Sequence, residues 1–131
     1  SAAVADYTPA APAGHKLKKS REHLDAIELV ETADILADLC ATKGGRVVVG
    51  FAAETDDLIA HASEKLRRKG ADLIVANDVS RPESTFGADT NRVALVSAAG
   101  VEQLETMPLA DVANAILDRV CELGTVPNSH K

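Results

Sequence analysis

The sequence predicts an α/β domain, a largely parallel sheet with helices on both faces and a small antiparallel hairpin. Three observations predict it. The runs RVVVGF (46–51) and ADLIVAND (71–78) are apolar on both faces, the pattern of strands buried in a parallel sheet. A helical pattern of amphipathic period lies between them, and a strand–helix–strand unit of this length closes as a right-handed parallel crossover. RVALVS (92–97), a turn at 98–100 and VEQLE (101–105) together read as a hairpin.

The elements follow in order. SAAVADY (1–7) is a small apolar run that reads as the tail of a buried strand. Pro9, Pro12 and Gly14 mark residues 8–24 as a loop. AIELV (26–30) is a short strand. Thr32 is placed to cap a helix over 33–43, where Ile35, Leu36, Leu39 and Cys40 recur at helical spacing. Gly44 and Gly45 end that helix, and the 46–51 strand follows. Thr55 or Asp56 then caps a helix over 56–69, and Gly70 stops it. After the 71–78 strand, residues 79–91 form a long loop with Pro82 and Gly87. The last helix runs over 108–123 with Pro108 in its first turn, and 124–131 is a frayed tail.

Composition narrows the function. A chain of 131 residues, 46% of them apolar, has the size and the apolar content for one core. No run of about 18 apolar residues could cross a membrane, and no basic-then-apolar leader opens the sequence. The formal charge of −6 argues against a dedicated nucleic-acid binder, whose footprint is basic. Cys40 and Cys121 lie far apart in helical patterns and read as small buried hydrophobes in a reducing cytosol. The four histidines show no metal-ligand spacing, and both common phosphate-loop signatures are missing.

Against that acidic background the cations stand out. Lys16, Lys18 and Lys19 sit on the Pro- and Gly-marked loop, with Arg21 after them. A solvated loop explains them; so does a lid that carries charge to an anionic ligand. Lys65, Arg67, Arg68 and Lys69 close the middle helix, where cations complement the macrodipole by about 0.3–1 kcal/mol each. At about 100° per residue, Lys65 and Lys69 fall on the side of Leu58 and Ala62, and Arg68 points away. Alkyl stems snorkelling past a core give that facing, and so do two heads held toward a site. Phe51 stands past a glycine at a strand end, fit for the core or for a nucleotide ring. Ligands of open α/β sheets bind beyond the strands' carboxyl ends, here marked by Gly50-Phe51 and Asn77-Asp78. From residues alone the reading is an α/β domain with anion-binding lysines for a nucleotide or phosphorylated ligand.

Read together, AAVADY, KLKK, GFAAET, KLRRKGADLI and ANDVS occur in an order and spacing that resembles one family. From Ala2 to about Leu123 the chain is similar to the C-terminal half of phosphopantothenate–cysteine ligase. In many bacteria that ligase is the second part of a bifunctional protein with an FMN-dependent decarboxylase. The resemblance implies a Rossmann-like fold, a cytoplasmic homodimer, and the substrates CTP with Mg²⁺, 4′-phosphopantothenate and L-cysteine. CTP activates the acid as an acyl-cytidylate, and the cysteine amine then forms the amide. Cations at the transferring phosphate supply the main catalytic contribution in such chemistry.

Residue by residue, the resemblance assigns Asp6 to nucleotide binding and Lys16 to the lid that reaches the phosphates, with Lys18 and Lys19 assisting. It assigns Ala33, Asp34, Ile35 and Leu36 to a CTP-contacting segment, and Phe51, Lys65 and Lys69 to further CTP contacts. The 92–105 hairpin is the candidate homodimer interface. The family's Gly- and Ser-rich N-terminal half, with an asparagine needed for the second step, has no counterpart here. The expectation is therefore a half-site with an open sheet edge and no complete turnover. A nucleotide-binding module without catalysis is the alternative. A salt-sensitive binder of nucleic acid or phosphoprotein is disfavoured by the charge.

Overall fold

The computed structural model describes residues 4–18, 26–80 and 89–124. The chain forms two compact units, Ser1–Ile35 and Leu36–Lys131.

The first unit is built on two short strands, β1 (Tyr7–Pro9) and β2 (Leu29–Glu31), paired antiparallel with Tyr7 opposite Glu31. The pairing continues past both strands: Ala10 N–H donates to Glu28 O (2.9 Å) and Thr32 N–H to Asp6 O (2.9 Å). The Thr32 hydroxyl donates to Ala5 O at 2.6 Å. Thr32 therefore extends the ribbon and does not cap the helix that follows, contrary to the sequence expectation. Val4, Ala5 and Asp6 are exposed and precede the strand, so the buried strand expected at 1–7 is not found among the described residues.

The second unit begins with the body of α1 (Ile35–Ala41), then β3 (Val49–Glu54), α2 (Leu58–Lys69) and β4 (Leu73–Asp78). The short β5 (Thr90–Asn91), β6 (Val93–Ser97), β7 (Gly100–Gln103), β8 (Met107–Pro108) and α3 (Leu109–Gly124) complete it. The main sheet has the order β3-β4-β6-β7, and β5 pairs separately with β8. β3 and β4 are parallel, Val49 opposite Leu73 and Phe51 opposite Val75. β4–β6 and β6–β7 are antiparallel. The predicted hairpin is thus the outer half of one mixed sheet.

Helices cover both faces. Ala52, Ile74, Ala76, Ala94 and Val96 pack against Ala62 and Leu66 of α2, with Leu36, Leu58 and Ile59 beside them. On the opposite face, Leu73, Val75, Val93 and Leu95 meet Val112, Ile116, Val120 and Leu123, one stripe of α3. β4 and β6 are therefore covered on both sides, which is why their sequences read as unbroken apolar runs. Full burial of such a side chain stabilises the fold by about 1.5–3 kcal/mol.

Two details hold the crossover. Gly70 takes the left-handed conformation (φ 76°) after α2, and its N–H donates to Leu66 O at 3.0 Å. Lys43 Nζ donates to Asp72 Oδ1 (2.8 Å) and Gly70 O (2.9 Å), while Val48 N–H donates to Asp72 Oδ2 (2.8 Å). Burial pushes the Asp72 pKa up, but the Lys43 hydrogen bond, the Val48 N–H and the Lys43 charge outweigh it. The net position is below the ordinary carboxylate value.

Several boundaries differ from expectation. β3 ends at Glu54, three residues past Phe51, because Ala52, Ala53 and Glu54 stay in register with Ala76, Asn77 and Asp78. Neither Thr55 nor Asp56 caps α2; Asp57 does the turning, in a left-handed conformation (φ 44°) with no side-chain capping bond. Helix α3 starts at Leu109, and Pro108 belongs to β8. Cys40 is buried as expected, whereas Cys121 is exposed on α3, outside its apolar stripe. Among the described residues no helix is long and apolar enough to cross a membrane.

Candidate functional site

The site is built at the β3 edge of the sheet. Along β3 the side chains alternate. Gly50 and Ala52 face α1 and α2; a Cβ on Gly50 would lie 2.8 Å from both the Ile74 Cδ1 and the Leu36 Cδ2 atoms. Phe51 points to the other face and is 64% exposed. The ring is not a core aromatic. It is a large apolar surface offered to solvent beside the sheet edge.

Helix α2 lays a line of basic side chains along that edge. His61, Lys65 and Lys69 are spaced i, i+4, i+8, so they share one side of the helix. Lys65 Nζ donates to the Phe51 carbonyl at 3.1 Å. One turn earlier, His61 Nδ1 lies 3.5 Å from Glu54 Oε2. Lys65 and Lys69 are half-buried while Arg67 and Arg68 are exposed, matching the facing read from the sequence. The hydrogen bond fixes the Lys65 head at the strand edge, on the backbone of the residue whose ring is exposed. A cation can take an anionic group and an exposed aromatic ring can stack on a planar base.

The structure distributes the sequence-assigned residues between the two units. Asp6, Lys16, Ala33, Asp34 and Ile35 belong to the first; Leu36, Phe51, Lys65 and Lys69 belong to the second. Within the first, the Asp6 carbonyl is tied to Thr32, which leads directly into Ala33 and Asp34. Lys16 and Lys18 are exposed, as a phosphate-reaching lysine requires. Lys19 and Arg21 lie outside the described residues, as does most of the second half of the 8–24 segment. Within the second unit, the Leu36 side chain packs on the core. Phe51 and Lys65 are brought into direct contact.

Phe51 does not sit at a strand's carboxyl end as expected; it is the third residue of β3. The Glu54–His61 pair was not singled out from the sequence. The i, i+4 relation of His61 to Lys65 is the sign that could have found it. Among the described residues no group of three His, Cys, Asp or Glu side chains could hold a metal ion.

Comparison with known proteins now has a geometry to meet. Residues 1–123 match the family model described as DNA/pantothenate metabolism flavoprotein C-terminal domain. The coenzyme A biosynthesis bifunctional protein CoaBC of Bacillus subtilis (strain 168) is 44% identical over 125 residues, covering 95% of this chain and 30% of that protein. A cysteine/cysteine sulfinic acid decarboxylase of an unknown prokaryotic organism is 38% identical over 125 residues, 94% of this chain and 34% of that protein. The chain thus spans about a third of the length of these curated relatives. Among solved structures, the C-terminal domain of coenzyme A biosynthesis bifunctional protein CoaBC superposes with a TM-score of 0.65 at 35% identity. That match covers 91% of this chain and 50% of that one. By the extent of the family match, and in agreement with the motifs and the sheet, the chain belongs to the DNA/pantothenate metabolism flavoprotein C-terminal domain family.

Proposed function

We propose that this chain serves coenzyme A biosynthesis as the C-terminal part of a cytoplasmic phosphopantothenate–cysteine ligase. The reaction is CTP-dependent activation of 4′-phosphopantothenate as an acyl-cytidylate, followed by amide formation with L-cysteine and release of CMP. The similarity to coenzyme A biosynthesis proteins supports the pathway. The observation that carries the site is the Lys65 ammonium fixed on the carbonyl of Phe51, the residue whose ring is exposed at the sheet edge.

In this reading the Phe51 ring receives the nucleotide, while Lys65 and Lys69 face its anionic portion. Lys16 reaches the phosphates, with Lys18 and Lys19 assisting, and Asp6 and the segment from Ala33 to Leu36 complete the nucleotide contacts. Positive charge held in advance of the reaction stabilises the charge that builds on the transferring phosphate and the leaving pyrophosphate. Mg²⁺ arrives with CTP as the substrate complex, and no residue of this chain is assigned to hold it. FMN belongs to a fused decarboxylase part and not to these residues. The working assembly is a homodimer, with the 92–105 hairpin as the candidate contact.

Calorimetric titration with MgCTP and then MgATP tests the reading. Saturable heat with CTP, and at least tenfold weaker binding of ATP, is the expected result. A folded chain that gives no heat with CTP overturns the assignment of Phe51 and Lys65. The chain alone is expected to bind without releasing pyrophosphate from CTP, 4′-phosphopantothenate and L-cysteine. Full turnover by it would remove the half-site reading.

A further inference from the structure

The carboxyl ends of β3 and β4 do not lie at Phe51, and a separate cleft of about 220 Å³ opens there. Asp78, at the end of β4, and Arg92, just before β6, both line it. Gln103, the last residue of β7, does so too, over an apolar floor of Leu58, Ile59 and Ala94. The topology makes this meeting: β4 and β6 run antiparallel, so the end of one and the start of the other share one rim of the sheet. Ligands of open α/β sheets bind beyond this rim.

The chemistry of the lining is specific. Arg92 is half-buried, and among the described residues its guanidinium has no hydrogen-bond or ion-pair partner. This is unexpected in a chain with 20 acidic against 14 basic residues, where a carboxylate partner is readily supplied. A guanidinium in that position is a planar fork waiting for a carboxylate or phosphate. Asp78 is held in place: its Oδ1 accepts Ser80 N–H (3.0 Å) and the Ser80 hydroxyl (2.5 Å). A carboxylate has further lone pairs, so it can still accept from a cation. The negative charge of Asp78 disfavours a phosphate dianion on the same rim and favours a ligand with one charge of each sign. The volume is below the roughly 300–1,000 Å³ of pockets for larger ligands.

We propose that this cleft is a subsite for a small α-amino acid. Arg92 receives the carboxylate, Asp78 the ammonium, and the floor of Leu58, Ile59 and Ala94 the short side chain. The proposal rests on the ligase reading for the choice of L-cysteine, and it places that substrate's carrier groups on residues separate from the Phe51–Lys65 nucleotide edge.

The test is a nuclear magnetic resonance titration of the isotopically labelled 131-residue chain with L-cysteine under reducing conditions. Cysteamine, which lacks the carboxylate, and 3-mercaptopropionate, which lacks the ammonium, are the comparison probes. The expected result is saturable shifts at the amides of Asp78, Arg92 and Gln103 with L-cysteine, at least tenfold weaker with either comparison probe. Arg92→Gln removes the response while keeping a dispersed spectrum, and Asp78→Asn weakens it. A folded chain with no saturable response to L-cysteine overturns the proposal, as does an equal response to all three probes. A parallel CTP titration, read at Phe51 and Lys65, separates the two readings. CTP shifts without cysteine shifts remove this subsite and leave the nucleotide site standing. Cysteine shifts without CTP shifts do the reverse.

Discussion

Phe51 separates stability from binding within a single side chain. Because its ring is exposed, Phe51→Ala is expected to change stability by no more than about 0.5 kcal/mol. Loss of base stacking, worth about 1–3 kcal/mol, lowers CTP affinity roughly 5- to 150-fold. Calorimetry beside a melting curve checks both halves. A fall of many degrees in Tm would return the ring to the core. Lys16→Ala is expected to behave alike, with weaker CTP binding and a nearly unchanged Tm, since an exposed lysine contributes little to folding. Asp72 is the opposite kind of residue. Its carboxyl titrates lower in the folded chain than in the unfolded one, so its contribution is complete above the unfolded value of about 3.9. That contribution is lost as pH falls below about 4 toward the folded value. Urea midpoints taken from pH 6 to 3 should fall more steeply for the parent chain than for Asp72→Asn. Parallel curves would mean that Lys43 and Val48 do not hold the carboxylate in solution.

At the scale of elements, Gly50 decides how closely α1 and β4 approach β3. A methyl group there meets Leu36 and Ile74 at 2.8 Å, and both contacts are the ends of side chains that can yield in part. Gly50→Ala is expected to cost about 1–3 kcal/mol, seen as a lower urea midpoint with an unchanged slope. The same strand shows how far the sequence can be read. β4 and β6 were legible because both faces are covered, so Leu73–Ala76 and Val93–Val96 are apolar at every position. β3 was only half legible: Ala52, Ala53 and Glu54 have weak strand preference, and it is the ladder to Ala76, Asn77 and Asp78 that keeps them extended. β1 and β2 are three residues each and exposed along their length, so neither carries a periodic apolar signal. Thr32 misled for a related reason. Its hydroxyl had two possible uses, and the antiparallel ribbon took it. The site was legible to the same degree. The facing of Lys65 follows from helical spacing, whereas its bond to a backbone carbonyl depends on which strand lies at the edge. Arg92 and Asp78 are brought to one rim only by the reversal between β4 and β6.

Over the whole molecule, stability is concentrated in the middle of the main sheet. Leu73 to Ala76 and Val93 to Val96 are all buried, while the described residues of β1 and β2 are all exposed. Amide hydrogen exchange is expected to be slowest in β4 and β6, approaching the global unfolding free energy, and faster by orders of magnitude at Tyr7, Thr8 and Leu29–Glu31. Uniform protection across both units would contradict the burial pattern. The two cysteines extend this contrast into a practical property. Cys40 is enclosed and Cys121 faces solvent on α3, so a maleimide dye added to the folded chain should attach once, at Cys121. Such a conjugate carries its fluorophore on the helix that covers the sheet face opposite α2. The second attachment then appears only when the core opens, which turns the dye-to-protein ratio into a count of unfolded molecules.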